Sequence, residues 1–172
     1  MIAVLTVGVL YGVLVAVALS VLDLLHRLAR PHDGVLGYVP GVAGMHDVDD
    51  YPDAQPVPGL LVYRYDAPLC FANAQDFRVR ALRAVDEQAE PVRWFLLNAE
   101  AIVELDMTSA DAVRELVDDL AGRQVVFAMA RVKQDFRAYL ARARLFDVID
   151  EDRIYATLPV AVEAYERWQE RR

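Results

Sequence analysis

The sequence predicts a layered α/β domain, a mixed sheet of four to five strands with about four helices, preceded by one transmembrane helix. Three features carry that expectation. Met1 to Leu22 contains no charged residue, and at ~1.5 Å per residue it makes a helix of roughly 33 Å, enough to cross the hydrocarbon of a bilayer. Val92 to Leu97 is a near-continuous apolar run of strand length, as expected where both faces of a strand are covered. Ala110, Val113, Leu116, Val117 and Leu120 then recur at helical spacing. Strand and helix patterns go on alternating to the C-terminus, which favours a largely parallel sheet after an opening hairpin.

The chain divides into residues 1–25, the transmembrane helix; 26–58, a juxtamembrane basic segment and a Pro/Gly/Asp-rich linker; and 59–172, the folded domain. A secretory signal peptide would open with basic residues and end at a small-residue cleavage site, and no basic residue leads here. Gly8 and Gly12 are four apart, the spacing that lets another membrane helix approach closely. His26, Arg27, Arg30 and His32 follow the apolar run while nothing basic precedes it, which places the chain in the cell membrane as a single-pass segment with its C-terminal domain in the cytoplasm. The same cluster can touch anionic lipid. Five prolines, Gly34, Gly37, Gly41 and Gly44, and the acidic group Asp47, Asp49, Asp50 and Asp53 then read as an irregular linker. His46 beside those aspartates lacks the glycine of a calcium loop and a second ligand cluster, so no metal is expected.

Leu60 to Tyr65 and Leu69 to Ala72 read as strands of a hairpin that turns at Asp66-Ala67-Pro68. Asn73, with Asp76 three residues on, is placed to cap a helix whose inner face is Phe77, Ala81, Leu82 and Val85. Arg78, Arg80 and Arg83 fall largely outside that face, as a solvated surface or as a contact for an anionic partner or membrane. In the turn Asp106-Met107-Thr108-Ser109 the side-chain oxygens can accept from free N–H groups of the next helix. Gly122 marks that helix's end and Gln124 to Ala130 a second buried strand. Phe136, Tyr139, Leu140 and Ala143 mark a further helix, and Arg153 to Ala156 a short last strand. Thr157 and Pro159 open a final helix with Val160, Ala164, Tyr165 and Trp168 on one side.

Composition narrows the function. A net charge of −8 and a pI near 4.8 argue against nucleic acid as a partner. Cys70 is the lone cysteine, so no disulfide framework exists, and its apolar neighbours suggest a small core residue. All three histidines precede the domain, which leaves it without a histidine base. No Walker loop or dinucleotide glycine motif is present. Glu100, Glu104 and Asp106 alternate near a strand end and read as loop carboxylates. The expectation is a protein that is not an enzyme.

The strand end, the Asp106-Met107-Thr108-Ser109 turn and the helix after it resemble the signature of the STAS domain, named for sulfate transporters and anti-sigma-factor antagonists. In the antagonists the motif is Asp-Ser-Ser/Thr-Gly, and the hydroxyl in its third place is phosphorylated by a partner kinase. Thr108 fills that place here, with Met107 second and Ser109 fourth. The resemblance implies a switch at Thr108 or Ser109 with Asp106 as motif acid; the residues alone read as an N-cap box with no switch, and both readings stay open. RPHDGVLGYVPG and VPGLLVYRYDAPLCFANAQDF resemble the junction and opening of the STAS domain in SulP-family anion transporters, whose membrane bundle has about fourteen helices in inverted repeats. Met1 to Leu22 resembles the last of them. That likeness implies a STAS-type domain with a regulatory and interaction role, not transport-competent alone, and a SulP-type membrane bundle as partner, in the same or a separate chain. The antagonist likeness implies, as the alternative, a membrane-tethered signalling module with a cytosolic regulatory partner. No cofactor is expected, although the family has been proposed to bind nucleotides, and Ser109 at a helix N-terminus would suit a phosphate.

Overall fold

The computed structural model describes residues 2–171; Met1 and Arg172, the side chains of residues 2–7 and that of Arg27 lie outside the described residues. The first residue of the expected membrane helix and one member of its basic cluster therefore fall there. Helix α1 (Ile2–Ala29) runs past residue 25, because nothing before Pro31 breaks a helix and the residue ahead of a proline is pushed out of the helical region. Its segment Gly8–His26 has a mean hydropathy of 2.3 and is fully exposed. There follow β1 (Asp33–Tyr38), β2 (Met45–Asp47), β3 (Leu60–Tyr65), α2 (Ala74–Asp86), β4 (Trp94–Asn98), α3 (Met107–Gly122), β5 (Val126–Ala130), α4 (Gln134–Arg142), β6 (Ile154–Tyr155) and α5 (Leu158–Glu170). The strands form one sheet in the order β2-β1-β3-β4-β5-β6. β3 to β6 are parallel, and β1 is antiparallel to both β2 and β3.

The alternation of side chains along each strand makes two cores. Leu61, Tyr63, Tyr65, Phe95, Leu97, Phe127 and Met129 face α2 and α3 through Phe77, Ala81, Val113 and Leu116. The intervening Leu60, Val62, Trp94, Leu96 and Ala128 face α5 through Leu158, Ala161, Val162 and Tyr165. β4 is buried along its whole length, as its apolar run predicts. Gln124 carries the left-handed backbone (φ 62°) that releases the chain from α3, two residues after Gly122.

Four expectations are corrected. The segment 26–58 is not an irregular linker throughout, since it holds β1 and β2. Its glycines mark close approach: a Cβ at Gly34 would collide with the Asp47 carboxylate, and one at Gly37 would lie 2.8 Å from the Gln55 backbone. Asp47, 2% exposed, accepts from Arg64 Nη2 at 3.1 Å and from the Asp49 N–H at 3.0 Å, and lies 3.2 Å from His32 Nε2. The sheet thus has six strands rather than four or five. Second, Leu69 to Ala72 does not pair with β3; Leu69 makes a single parallel bridge to Leu105, and the antiparallel neighbour of β3 is β1. Third, α5 buries Leu158, Ala161, Val162 and Tyr165, leaving Val160 exposed, because Trp94 and Pro58 anchor the helix through the Tyr165 ring and hydroxyl. Fourth, Cys70 is half-buried in a loop rather than in the core.

Two core tyrosines differ in a testable way. Tyr63 donates to Asp33, whereas the Tyr65 hydroxyl, equally buried, finds no hydrogen-bond partner among the described residues. Burial pushes both phenols well above their ordinary pKa, so both stay neutral. Tyr65→Phe removes an unsatisfied polar group and is expected to leave the protein as stable or more stable by up to about 1 kcal/mol, while Tyr63→Phe costs about 1–2 kcal/mol. Urea titration of the full chain in detergent reads both; a larger loss for Tyr65→Phe would contradict the assignment.

Candidate functional site

Parallel topology decides where the motif lies. Each of α2 to α5 follows one of the parallel strands β3 to β6, so all four helices start at the carboxyl edge of the sheet. β1 enters at that same edge, since Asp33 pairs with Tyr65, and it brings the end of α1 with it. The turn 106–109 and the foot of the membrane-length helix are therefore neighbours.

Asp106 is the N-cap of α3. Its carboxylate accepts from the Ser109 N–H at 2.8 Å and from the Phe71 N–H at 2.6 Å, and the Ser109 Oγ accepts from the Asp106 N–H at 2.9 Å. This is a reciprocal capping box with serine in the place usually held by Glu or Gln. Burial by itself would raise the Asp106 pKa, but hydrogen bonds from the Ser109 backbone and hydroxyl and from the Phe71 and Thr108 N–H groups outweigh it and hold the carboxyl below its ordinary value. The Thr108 and Ser109 N–H groups, which a phosphate at this helix N-terminus would use, already bond the chain's own carboxylate.

The two candidate hydroxyls have opposite environments. Ser109 is fully buried, with its Oγ also 3.1 Å from the Leu69 carbonyl oxygen. Thr108 is exposed on the first turn of α3, and Met107 beside it is 76% exposed. Gly8 and Gly12 lie on the exposed length of α1, where an added Cβ would meet nothing within 4 Å in the described chain.

The site also holds a residue whose role the sequence did not reveal. Asn73 is fully buried at the N-cap position of α2, yet its side chain makes no cap bond. It accepts from the Cys70 N–H at 2.9 Å and donates to the carbonyl oxygens of Pro68 at 3.0 Å and Leu28 at 3.1 Å. The last bond ties the end of α1 to the domain across 45 residues. Arg80 adds a second tie by donating to the Pro31 carbonyl oxygen and pairing with Asp33. Arg78 pairs with Asp119 and Arg83 with Glu87, so the three arginines of α2 are engaged by the chain's own carboxylates. Glu100 pairs with Arg131. Among the described residues no group of three or more His, Cys, Asp or Glu side chains comes together as a metal site would require.

Comparison with known proteins agrees with this arrangement. The STAS domain family model matches residues 51–161. A probable sulfate transporter of Mycobacterium tuberculosis is 64% identical over 165 residues, which cover 96% of this chain and 30% of that protein. The chain thus spans under a third of the length of that relative. Among solved structures, the murine Solute Carrier 26 family member A9 anion transporter superposes over 91% of this chain and 26% of its own with a TM-score of 0.80 at 19% identity. A SulP transporter STAS domain from Vibrio cholerae covers 73% of this chain and 94% of its own at a TM-score of 0.58 and 18% identity. At such identities these two show the shared fold. With its matched domain, its capped strand-turn-helix and its likeness to a sulfate transporter running through α1 and the domain together, this chain belongs to the STAS domain family.

Proposed function

We propose that this chain is the last membrane helix and cytoplasmic STAS domain of a SulP-type transporter of sulfate or a related anion, with the domain acting in regulation and protein interaction. The observation that carries the reading is the 64% identity over 165 residues to a probable sulfate transporter. The ties from Asn73 and Arg80 support it, because a domain fastened to the end of a membrane helix can relay movement between the two. One helix cannot enclose an anion path, since a charged solute cannot travel along a lipid-exposed surface. Transport therefore belongs to a bundle, in the same or a separate chain, that packs on the Gly8 and Gly12 side of α1. His26 and Arg30 at the end of the apolar span favour the cytoplasmic side for the domain and contact with lipid headgroups. The proposed role is coupling, not catalysis.

The test is co-purification from the membranes of its own cells. Gly8→Leu with Gly12→Leu is expected to weaken recovery of the membrane bundle while circular dichroism shows the domain still folded. Unchanged recovery would remove the packing role from the two glycines, and recovery without any bundle would overturn the reading. A second reading, a membrane-tethered module of the antagonist type, draws on the exposure of Thr108 at the motif's third place. A phosphate there would add charge at a helix N-terminus and alter the docking face for a cytosolic partner. Phosphate on Thr108 together with a kinase or sigma-type regulator in the same pull-down would favour it.

A further inference from the structure

The second face of the sheet carries α5, and beside the start of that helix a cavity of about 320 Å³ opens at the carboxyl ends of β3, β4 and β5. In open α/β sheets small molecules are held outside these strand ends. Asn98 ends β4 and follows Trp94 and Leu96 at two-residue spacing, so it faces the α5 side. It is 4% exposed and lines the cavity, and its Oδ1 accepts from the Glu100 N–H at 3.4 Å. Its amide nitrogen has no hydrogen-bond partner among the described residues. A buried donor left open in this way calls for an acceptor from outside the chain.

The lining decides the chemistry of that acceptor. Arg64, Asn98 and Ala130 pair across β3, β4 and β5, and Arg131 follows at the rim, so the polar groups gather at the carboxyl end. Leu36 and Tyr38 of β1, Met45 of β2, and Leu158 and Pro159 of α5 supply apolar walls. Charge then limits the ligand. Arg64 is held by Asp47 and by Asp66, each at 3.1 Å, so it offers no net charge. Arg131 pairs with Glu100, but both are exposed, and such a pair is weak enough for an incoming anion to open. α5 has no acidic residue in its first turn, so its dipole also favours negative charge here. The lining thus matches one negative charge rather than two. A bare inorganic ion would leave the apolar walls uncovered, whereas about 320 Å³ suits a small organic molecule.

The geometry points to a binding site for a small organic monocarboxylate, its oxygens taken by the Asn98 amide and Arg131 and its apolar body laid against Leu36, Met45 and Leu158. The site lies wholly within the domain and does not depend on α1 crossing a membrane. An occupant bridges β1 and β2 to the start of α5, which gives a regulatory domain a small-molecule input; that use rests on the function proposed above, and the site itself does not.

The chain has two asparagines, Asn73 and Asn98, which makes the test direct. The full chain in a maltoside detergent, carrying isotope-labelled asparagine, shows their side-chain amides by NMR, and Asn98→Gln tells the two apart. Titration with benzoate is expected to shift the Asn98 amide saturably and to leave that of Asn73, already bonded to Leu28 and Pro68, in place. Benzyl alcohol, with the same ring and no carboxylate, and sodium sulfate are each expected to act at least about tenfold more weakly. Arg131→Gln, at an exposed position, is expected to weaken benzoate binding about tenfold while circular dichroism stays unchanged. A benzoate titration that moves neither amide, or both alike, would overturn the site. Sulfate as effective as benzoate would overturn the organic acid as ligand, and benzyl alcohol as effective would overturn the carboxylate as the group recognised. None of these outcomes bears on the membrane helix or on the transporter reading, which the co-purification tests separately.

Discussion

Ser109→Asp is expected to destabilise the full chain by about 3–5 kcal/mol, whereas Thr108→Asp changes stability by less than about 1 kcal/mol or improves it. The two hydroxyls are adjacent in sequence, and one buried position separates their fates. At Ser109 a carboxylate would be introduced at a fully buried site, beside the Asp106 carboxylate and facing the Leu69 carbonyl oxygen. It would also remove the hydroxyl that donates to the Leu69 carbonyl oxygen and to Asp106, leaving those oxygens facing a carboxylate. At Thr108 the new charge would stand in solvent on the first turn of α3, where the helix dipole favours it. Urea or thermal unfolding of the detergent-solubilised chain measures both. The consequence reaches the signalling reading, since of the two hydroxyls in this turn only Thr108 is open to a kinase in the folded protein, and a modified Ser109 would report an opened α3 N-terminus. Equal tolerance of the two substitutions would show that the turn is looser than its hydrogen bonds imply.

Asn73→Ala is expected to cost about 1–3 kcal/mol, because it removes the fully buried amide that serves the Cys70 N–H and the Pro68 and Leu28 carbonyl oxygens together. A plain N-cap would behave differently. If Asn73 only capped α2, Asn73→Ser would recover most of the loss, as serine is a good cap. Serine is too short to span the Cys70 N–H and the Leu28 carbonyl together, so Asn73→Ser is expected to stay close to the alanine variant. Faster amide exchange over residues 68–74 should accompany the loss, because the Cys70 N–H loses its acceptor. Full recovery by serine would refute the tie between α1 and the domain.

The expectation that Asn73 caps a helix shows how local reasoning goes astray. An asparagine ahead of an amphipathic run with an acid three residues later has the form of a cap, and α2 does begin at Ala74. What the sequence pattern lacks is that the oxygen a cap would use accepts from the Cys70 N–H instead, while the amide nitrogen donates to the Leu28 carbonyl oxygen at the end of α1. Gly34 and Gly37 misled in a similar way. Glycine beside proline reads as a linker, yet both residues sit in or beside paired strand because the Asp47 carboxylate and the Gln55 backbone leave no room for a Cβ. The Asp106 cap was legible because its partners lie within one turn of the chain. The burial of Ser109 against the exposure of Thr108 was not, since Leu69 arrives from another part of the fold.

The sequence by itself determined the membrane-length helix, the alternation of strand and helix from Leu60 onward, the buried β4 and the capped start of α3, along with membership of the STAS family by resemblance. Each follows from a period or a cap whose residues are neighbours in the chain, so local physics suffices. The tertiary structure decided that the segment before Leu60 closes the sheet as β1 and β2, that α1 is fastened at the carboxyl edge through Asn73, and that Phe71 and Met107 emerge there uncovered. Those outcomes depend on which buried backbone groups are left unpaired once the elements pack and on which distant side chain reaches them. That pairing is imposed by the need to satisfy buried polar groups, and it has no periodic trace in the sequence.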